Sequence, residues 1–580
     1  MSKYLIEGIE FTTETENEIE KESLSLKQGG EVIELDLRLS FTSEVSPSVY
    51  RISWAEDQID MIGIWTACDW YSKNITPDWS KRRANSRLAS GMPLLSVYSK
   101  TDENRVSIAL SDPKNPTTIM AGAVEETGEI AFEIDLFSQK CSKMKEYEIT
   151  VRIDKRHIPF YKAIKSAREW WQTLGYTYPH VPKEAQMPMY SAWYSFHQRL
   201  DPEALIRECR IAKECGMDSI IVDDGWQTDD NSRGYGYCGD WKVCERKIPD
   251  MKGLVDRVHQ LGMKFIIWFS VPFVGFDSEN YERFKGMYLS TNPKSRASAL
   301  DPRFKEVRDF LEGIYVDGVL KYGWDGLKLD FIDSFTLRDE SPTNYEMMDT
   351  VSVEEGVDKL LSQVTKRLKE INPEFLIEFR QSYVGPVISK YGNMLRATDC
   401  PNDALSNKLN TLSLRLTSGK AAVHSDMLMW SKNDTLESVA YQLLAIMFSV
   451  PQISIRFDSI TTEQRELLKD FLTFWRAHSD TIMNGEIIIL EPWADFSTAK
   501  AINKNEAITV LYGNNSEKSE NGITSYIFNS TGKGHIYLET DTERTYDIID
   551  YKENIKKSGK IPVGVSKIAL LPTECLRVNK

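Results

Sequence analysis

Gly323-Trp324-Asp325-Gly326-Leu327-Lys328-Leu329-Asp330-Phe331 is the stretch on which the fold turns. From Gly326 it is an apolar run of strand length, with a lysine and an aspartate two residues apart. Side chains alternate across a strand, so Lys328 and Asp330 share one face while Leu327, Leu329 and Phe331 share the other. Ionised groups inside a fold are costly unless paired or used. A charged strand face in mid-chain is therefore either a salt-bridged rim or a functional strand end. The neighbouring sequence favours the second.

On both sides of this run the texture is strand, loop, helix, repeated. Candidate strands are Tyr190–Tyr194, Ser219–Asp223, Lys264–Phe269, Gly326–Asp330, Phe375–Phe379, Met394–Thr398, Ala421–His424 and Ile453–Arg456. Helices between them are punctuated: Asp201-Pro202 opens one and Gly216 follows its end, Gly262 stops another, Asp301-Pro302 opens a third, and Asn372-Pro373 closes a fourth. Eight such units over ~300 residues predict a (β/α)8 barrel over 181–484. Residues 1–180 show alternating runs such as Glu31–Leu39 and Tyr147–Ile153, which predict an N-terminal β-sandwich ending in a linker helix. Short strands return over 485–580 and predict a small C-terminal β-sandwich. The expected class is α/β, a barrel between two β domains.

Composition narrows the function. The 580 residues carry a formal net charge of −15, which argues against nucleic acid or an anionic membrane as partner. The amino terminus has no apolar core of a signal peptide and no stretch reaches the ~18 apolar residues of a membrane span, so the expected location is cytoplasmic. Eight scattered cysteines read as reduced thiols. The 14 Trp, 25 Tyr and 23 Phe suit stacking on sugar rings, as they suit large cores.

In a barrel of this kind the active site lies at the C-terminal strand ends. Those ends read Asp223-Asp224-Gly225-Trp226, Asp330, Glu378-Phe379-Arg380-Gln381, Arg396-Ala397-Thr398-Asp399 and His424-Ser425-Asp426. A rim rich in carboxylates and poor in histidine suits glycoside hydrolysis, which sets two carboxyl groups across the scissile bond. It also suits a magnesium site, but the seven histidines are scattered and no metal-ligand spacing such as HExxH occurs, so neither metal nor cofactor is expected. Gly234-Tyr235-Gly236-Tyr237-Cys238-Gly239 matches a dinucleotide fingerprint by letter only. It neither directly follows a strand nor opens a helix, and reads as an aromatic lid.

Asp223-Asp224-Gly225-Trp226, then Pro249-Asp250-Met251-Lys252-Gly253-Leu254, Leu261–Trp268 and Lys328-Leu329-Asp330, in this order, resemble glycoside hydrolase family 36, the α-galactosidase-like family. The resemblance covers about 188–480. It implies a retaining α-glycosidase without a metal, with Asp330 as nucleophile and Asp399 as general acid/base. Asp223 and Asp224 would accept from the sugar 4- and 6-hydroxyls, Lys328 would hold the 3-hydroxyl, Trp268 would wall the pocket and Arg396 would orient Asp399. Trp65, and with it Trp70, would reach the pocket from the N-terminal domain, and Asp333 and Asp426 stand as further contacts.

Lys328 beside Asp330 favours an ionised nucleophile. Asp399, flanked by Cys400 and Pro401, is expected to have a raised pKa, with Arg396 acting against it. Arg380 departs from the family, where small residues follow the strand-five Glu. It is expected to contact the substrate, crowding galactose near its 2-position or meeting an acidic or substituted sugar. The expected substrate is a small α-galactoside or oligosaccharide. An α-N-acetylgalactosaminidase, an α-glucosidase, a transglycosylase and a non-catalytic carbohydrate-binding barrel are the other readings, and a homo-oligomer fits the sequence equally well.

Overall fold

The computed structural model describes residues 1–69 and 71–580; the expectation for Trp70 falls outside the described residues. Eight strands form the central sheet in the order expected of a barrel, all parallel: Met189–Ser191, Ser219–Val222, Lys264–Ser270, Gly326–Asp330, Leu376–Arg380, Met394–Arg396, Ala422–His424 and Gln452–Ile453. We call them barrel strands one to eight. Strands seven and eight approach through one bridge, His424 to Val450, where Val450 N donates to Val423 O at 2.7 Å and Ser425 N to Val450 O at 3.0 Å. Every residue of strand four is buried, because its leucines meet the outer helices while Lys328 and Asp330 point into the barrel.

The helices start where the sequence places caps, with one exception. Asp201, Asp250, Ser352 and Asp403 each accept a backbone N–H of the first turn. Asp301 does not. It is fully buried against Arg303, whose Nη2 lies 2.6 Å from Oδ2, and the helix begins later, at Lys305. A buried guanidinium needs its carboxylate more than a helix needs a cap. A small antiparallel sheet of Phe273–Gly275, Tyr288–Asn292 and Ala297–Leu300 follows strand three and was not apparent from the sequence. Such short segments leave no clear alternation.

Two antiparallel sheets, of seven and six strands, run from Ser2 to Asp154 and enclose their own apolar core. The helix Phe160–Thr173 follows, tied back by Trp171 Nε1 donating to Leu110 O at 2.8 Å. After Glu486 a seven-stranded and a three-stranded sheet complete the chain. The barrel core is continuous with side chains from both flanking parts. Among the described residues no helix is long and apolar enough to cross a membrane.

Candidate active site

Barrel register puts the charged residues in layers. Lys328 pairs with Trp268 on strand three and with Glu378 on strand five, and Arg380 pairs with Arg396. Lys328 Nζ donates to Asp223 Oδ2 at 2.5 Å, and both side chains are almost wholly buried. Burial alone would lower the lysine pKa; Asp223 reverses the sign and raises it. Asp223 Oδ1 also accepts the Asp224 N–H at 2.9 Å.

Asp224 is held differently. Gln198 Nε2 and Gln227 Nε2 each donate to it at 2.7 Å, and burial pushes its pKa up to about 6 despite them. The following Gly225 has φ +109°, and an added Cβ would stand 2.5 Å from Gln198 Cα. The Asp-Asp-Gly turn therefore needs its glycine both for the dihedral and for the approach of Gln198. Trp226 is fully buried and donates from Nε1 to Trp268 O at 2.8 Å, so it fixes the strand-three end beside the site.

Asp330 ends strand four with its two oxygens unequally occupied. Oδ1 accepts from Arg380 Nε at 2.5 Å, from Phe331 N at 2.8 Å and from Tyr383 Oη at 3.4 Å; Oδ2 accepts only from Trp268 Nε1, at 3.1 Å. Burial favours the neutral acid, but Arg380 and Lys328 overcome it and bring the pKa down to about 2. Arg380 also lies 3.8 Å from Asp333 and over the rings of Phe331 and Tyr383. Its charge is thus already compensated.

Asp399 stands at the mouth. Its side chain is 57% exposed and lies 2.8 Å from Arg396 Nη2. Capping of the next helix falls to Asp403, whose Oδ1 accepts from Ser406 N at 2.9 Å, so Asp399 is free of that duty. Its pKa is lowered, chiefly by Arg396 and against partial burial. The effect of Arg396, already set against a raised pKa in the sequence, outweighs that of burial here.

Arg396 is nearly inaccessible and serves three carboxylates: Asp399, Asp426 at 2.5 Å and Glu378 at 3.8 Å. Two of the expected sugar contacts are fully buried. Asp426 has no exposed surface and spends its oxygens on Arg396, Tyr194 Oη and Cys400 N, so it positions the strand-six end. Trp65, on the N-terminal strand Gly63–Thr66, is likewise fully buried and packs in the core shared with the barrel; that domain also reaches the site through Ala67 O, which accepts from Gln381 Nε2 at 3.2 Å.

Several residues near the site carried no motif. Glu378 is completely buried, accepts from Gln452 Nε2 at 2.5 Å, and burial raises its pKa against Lys328 and Arg396. Gln452 also meets His424 Nδ1, while His424 Nε2 faces Ala185 O at 2.8 Å. Burial lowers the His424 pKa to about 4, so it is neutral with the proton on Nε2. The glycine-rich loop supplies Tyr235, whose ring packs on Phe273 and Phe331, as an aromatic cover should. Asp240 caps a neighbouring turn at Glu279 and Asn280, and Trp241 packs inward. Among the described residues no group of three or more His, Cys, Asp or Glu side chains could hold a metal ion.

The family model described as Melibiase matches residues 183–374. The chain is 29% identical over 127 residues to the α-galactosidase AgaA of Geobacillus stearothermophilus, which is 20% of this chain and 17% of that protein. It is 34% identical over 107 residues to the α-galactosidase Mel36A of Lactobacillus acidophilus, 17% of this chain and 14% of the relative. Among solved structures, the GH36 α-galactosidase AgaA in complex with raffinose superposes with a TM-score of 0.63 at 15% identity, covering 99% of this chain and 81% of that one. In fold the chain is similar to the solved GH36 α-galactosidases. The α-galactosidase of Thermus thermophilus in complex with p-nitrophenyl α-D-galactopyranoside superposes with a TM-score of 0.54 at 15% identity, covering 86% of this chain and 97% of that one. The Melibiase match ends just before strand five, so Asp223, Asp224, Lys328 and Asp330 fall within it, and Arg380, Arg396 and Asp399 beyond it. The matched segments span under a fifth of the two curated relatives.

A pH dependence follows from Asp224. Below about pH 6 it protonates and loses an anionic acceptor. A sugar held by Asp224 would bind more weakly on the acid side, with KM rising by about tenfold, the worth of one charge-assisted hydrogen bond. Asp330 stays ionised over the same range, so kcat should change less; KM and kcat profiles from pH 4 to 8 test the split. A pH-independent KM would contradict it.

Proposed function

We propose that this chain is a retaining α-glycosidase acting on terminal α-galactosides, with Asp330 as nucleophile and Asp399 as acid/base. The observation that carries the reading is Asp330: a buried carboxylate kept ionised by two cations, with one oxygen lightly engaged, at the C-terminal end of a barrel strand. Oδ2 is the attacking oxygen in this reading, since Oδ1 is committed to three donors. Asp223 and Asp224 accept sugar hydroxyls, Lys328 donates to one, and Trp268 walls the pocket while steadying the nucleophile.

The acid/base role rests on a change of environment. Asp399 is ionised in the free protein, but a sugar seated over it removes water, and the Asp330 charge also favours its protonated form. Once Asp330 becomes a glycosyl ester that charge is gone. Asp399 then falls back toward the anion and takes a proton from the attacking water. Arg396, which depletes the protonated form needed in the first step, keeps the anion populated for the second, at the cost of making it a weaker base.

Hydrolysis of p-nitrophenyl α-D-galactopyranoside, measured beside the α-glucoside and the α-N-acetylgalactosaminide, tests the function. The galactoside should be the best substrate, and NMR should show the α-anomer forming first. Preference for either other sugar moves the specificity; no turnover of any supports the non-catalytic reading. Transfer to added alcohols in preference to water would mark a transglycosylase.

Arg380, the departure from the family pattern, enters through its contact with Asp330. In Arg380→Ala, burial of Asp330 is opposed by Lys328 and the hydrogen bond from Trp268 but no longer by the guanidinium, so the nucleophile pKa rises and the acid limb of kcat moves to higher pH. The kcat/KM at pH 5 should fall by about 10²-fold, in line with loss of a strong charge partner. An unchanged kcat/KM on the true substrate removes Arg380 from the site.

A further inference from the structure

A cavity of about 990 Å³ lies away from the catalytic strand ends. It opens beside Gln186 and Ala421, just before strands one and seven begin, and is walled by the helix Phe160–Thr173, the end of the helix Ala404–Thr417 and the segment Met483–Ile487. All three parts of the chain meet there.

Its charge is out of character with the protein. In a chain of net charge −15, Lys162, Lys165, Arg168, Arg415 and Lys420 line this cavity together with His180, against a single lining carboxylate, Glu486. Lys165 has Glu169 at 3.9 Å and His180 has Glu374 at 3.0 Å; among the described residues the other four cations have no carboxylate within ion-pair distance.

Arg415 is the informative one. It is only 8% exposed, and its guanidinium donates solely to neutral acceptors: Phe448 O and Ile482 O at 2.8 Å, Met483 O at 3.0 Å and the Met483 sulfur. Burial brings its pKa down to about 10, and the nearby Arg168 pushes the same way. A buried cation without a counter-ion is expensive, and a second guanidinium beside it adds repulsion. An anion in the cavity would relieve both.

We propose that this cavity binds a small multivalent oxyanion carrying phosphate, either a compact polyphosphate or a phosphate monoester. Guanidinium groups present forked donors that match phosphate oxygens, and the lysines add mobile point charges around them. The site is separate from the sugar site and at the other end of the barrel, so its ligand does not compete with a glycoside. Because it joins the first helix after the N-terminal sheets, a barrel helix and the start of the C-terminal sheets, occupancy clamps the three parts together.

Isothermal titration of the full chain with inorganic pyrophosphate, inorganic phosphate and glucose 6-phosphate, in buffer of constant ionic strength, tests the proposal. We expect one saturable site with a Kd below about 1 mM for at least one probe. Pyrophosphate alone would identify a compact polyphosphate site, and glucose 6-phosphate a monoester site. In Arg168→Glu/Lys420→Glu the affinity should fall at least about tenfold. Lys162→Gln/Lys420→Gln, which changes only exposed side chains, gives a milder loss should the first variant misfold. Absence of saturable binding by any probe overturns the proposal, as does equal binding by wild type and the folded variants.

Discussion

Asp330→Gly should abolish turnover of an aryl α-galactoside while leaving the fold intact, with kcat reduced on the order of 10⁴-fold or more, the scale of losing a covalent nucleophile. The substitution removes a carboxylate from a pocket built to hold it, so Arg380 and Trp268 lose a partner and the vacated space can admit a small anion. Azide should then restore part of the rate, attacking from the side where Asp330 stood and giving the β-galactosyl azide. Asp330→Asn fills that space and should show little rescue. Assayed by product NMR, recovery of α-azide from Asp330→Gly would assign the nucleophile elsewhere.

The second large effect belongs to Asp399→Ala. Loss of a general acid costs about 10²–10⁴-fold where the leaving group needs its proton. Raffinose-type substrates should therefore suffer most, and nitrophenyl galactosides, whose leaving group departs as an anion, much less. Their slow step becomes hydrolysis of the glycosyl enzyme, which azide should accelerate with formation of the α-galactosyl azide. The side chain is exposed and its only polar partner of note is Arg396, so stability should barely change. Equal rate losses on good and poor leaving groups would show that Asp399 does not protonate the departing oxygen.

These effects were largely legible in the chain because strand ends in a barrel inherit their place from topology. The runs at 264–270 and 326–330 are short, apolar and buried on both faces, and helical stripes with sound caps separate them, so the barrel could be read without any contact in view. The same logic put Asp223, Asp330 and Asp399 at one end. What failed were contacts that depend on the third dimension. Asp301 looks like a cap until Arg303 is seen to fold back on it, and Asp426 looks available until Arg396, Tyr194 and Cys400 occupy it. Trp65 has the side chain of a pocket wall but faces a packed core. Gln198 and Tyr383 sit in no motif, and only the hydrogen bonds they make mark them. For Asp399 the sequence sets Cys400 and Pro401 against Arg396, and in the structure Arg396, three residues away, prevails.

The central claim is a covalent bond to one carboxylate. Incubating the protein with 5-fluoro-α-galactosyl fluoride, which forms the glycosyl enzyme faster than it is hydrolysed, and mapping the labelled peptide by mass spectrometry tests it directly. A single added fluorogalactosyl group on the peptide containing Gly326-Leu327-Lys328-Leu329-Asp330, with fragment ions placing it on Asp330, is the expected result. Label on any other carboxylate, or hydrolysis of aryl galactosides with no covalent adduct and inverted product, would contradict it.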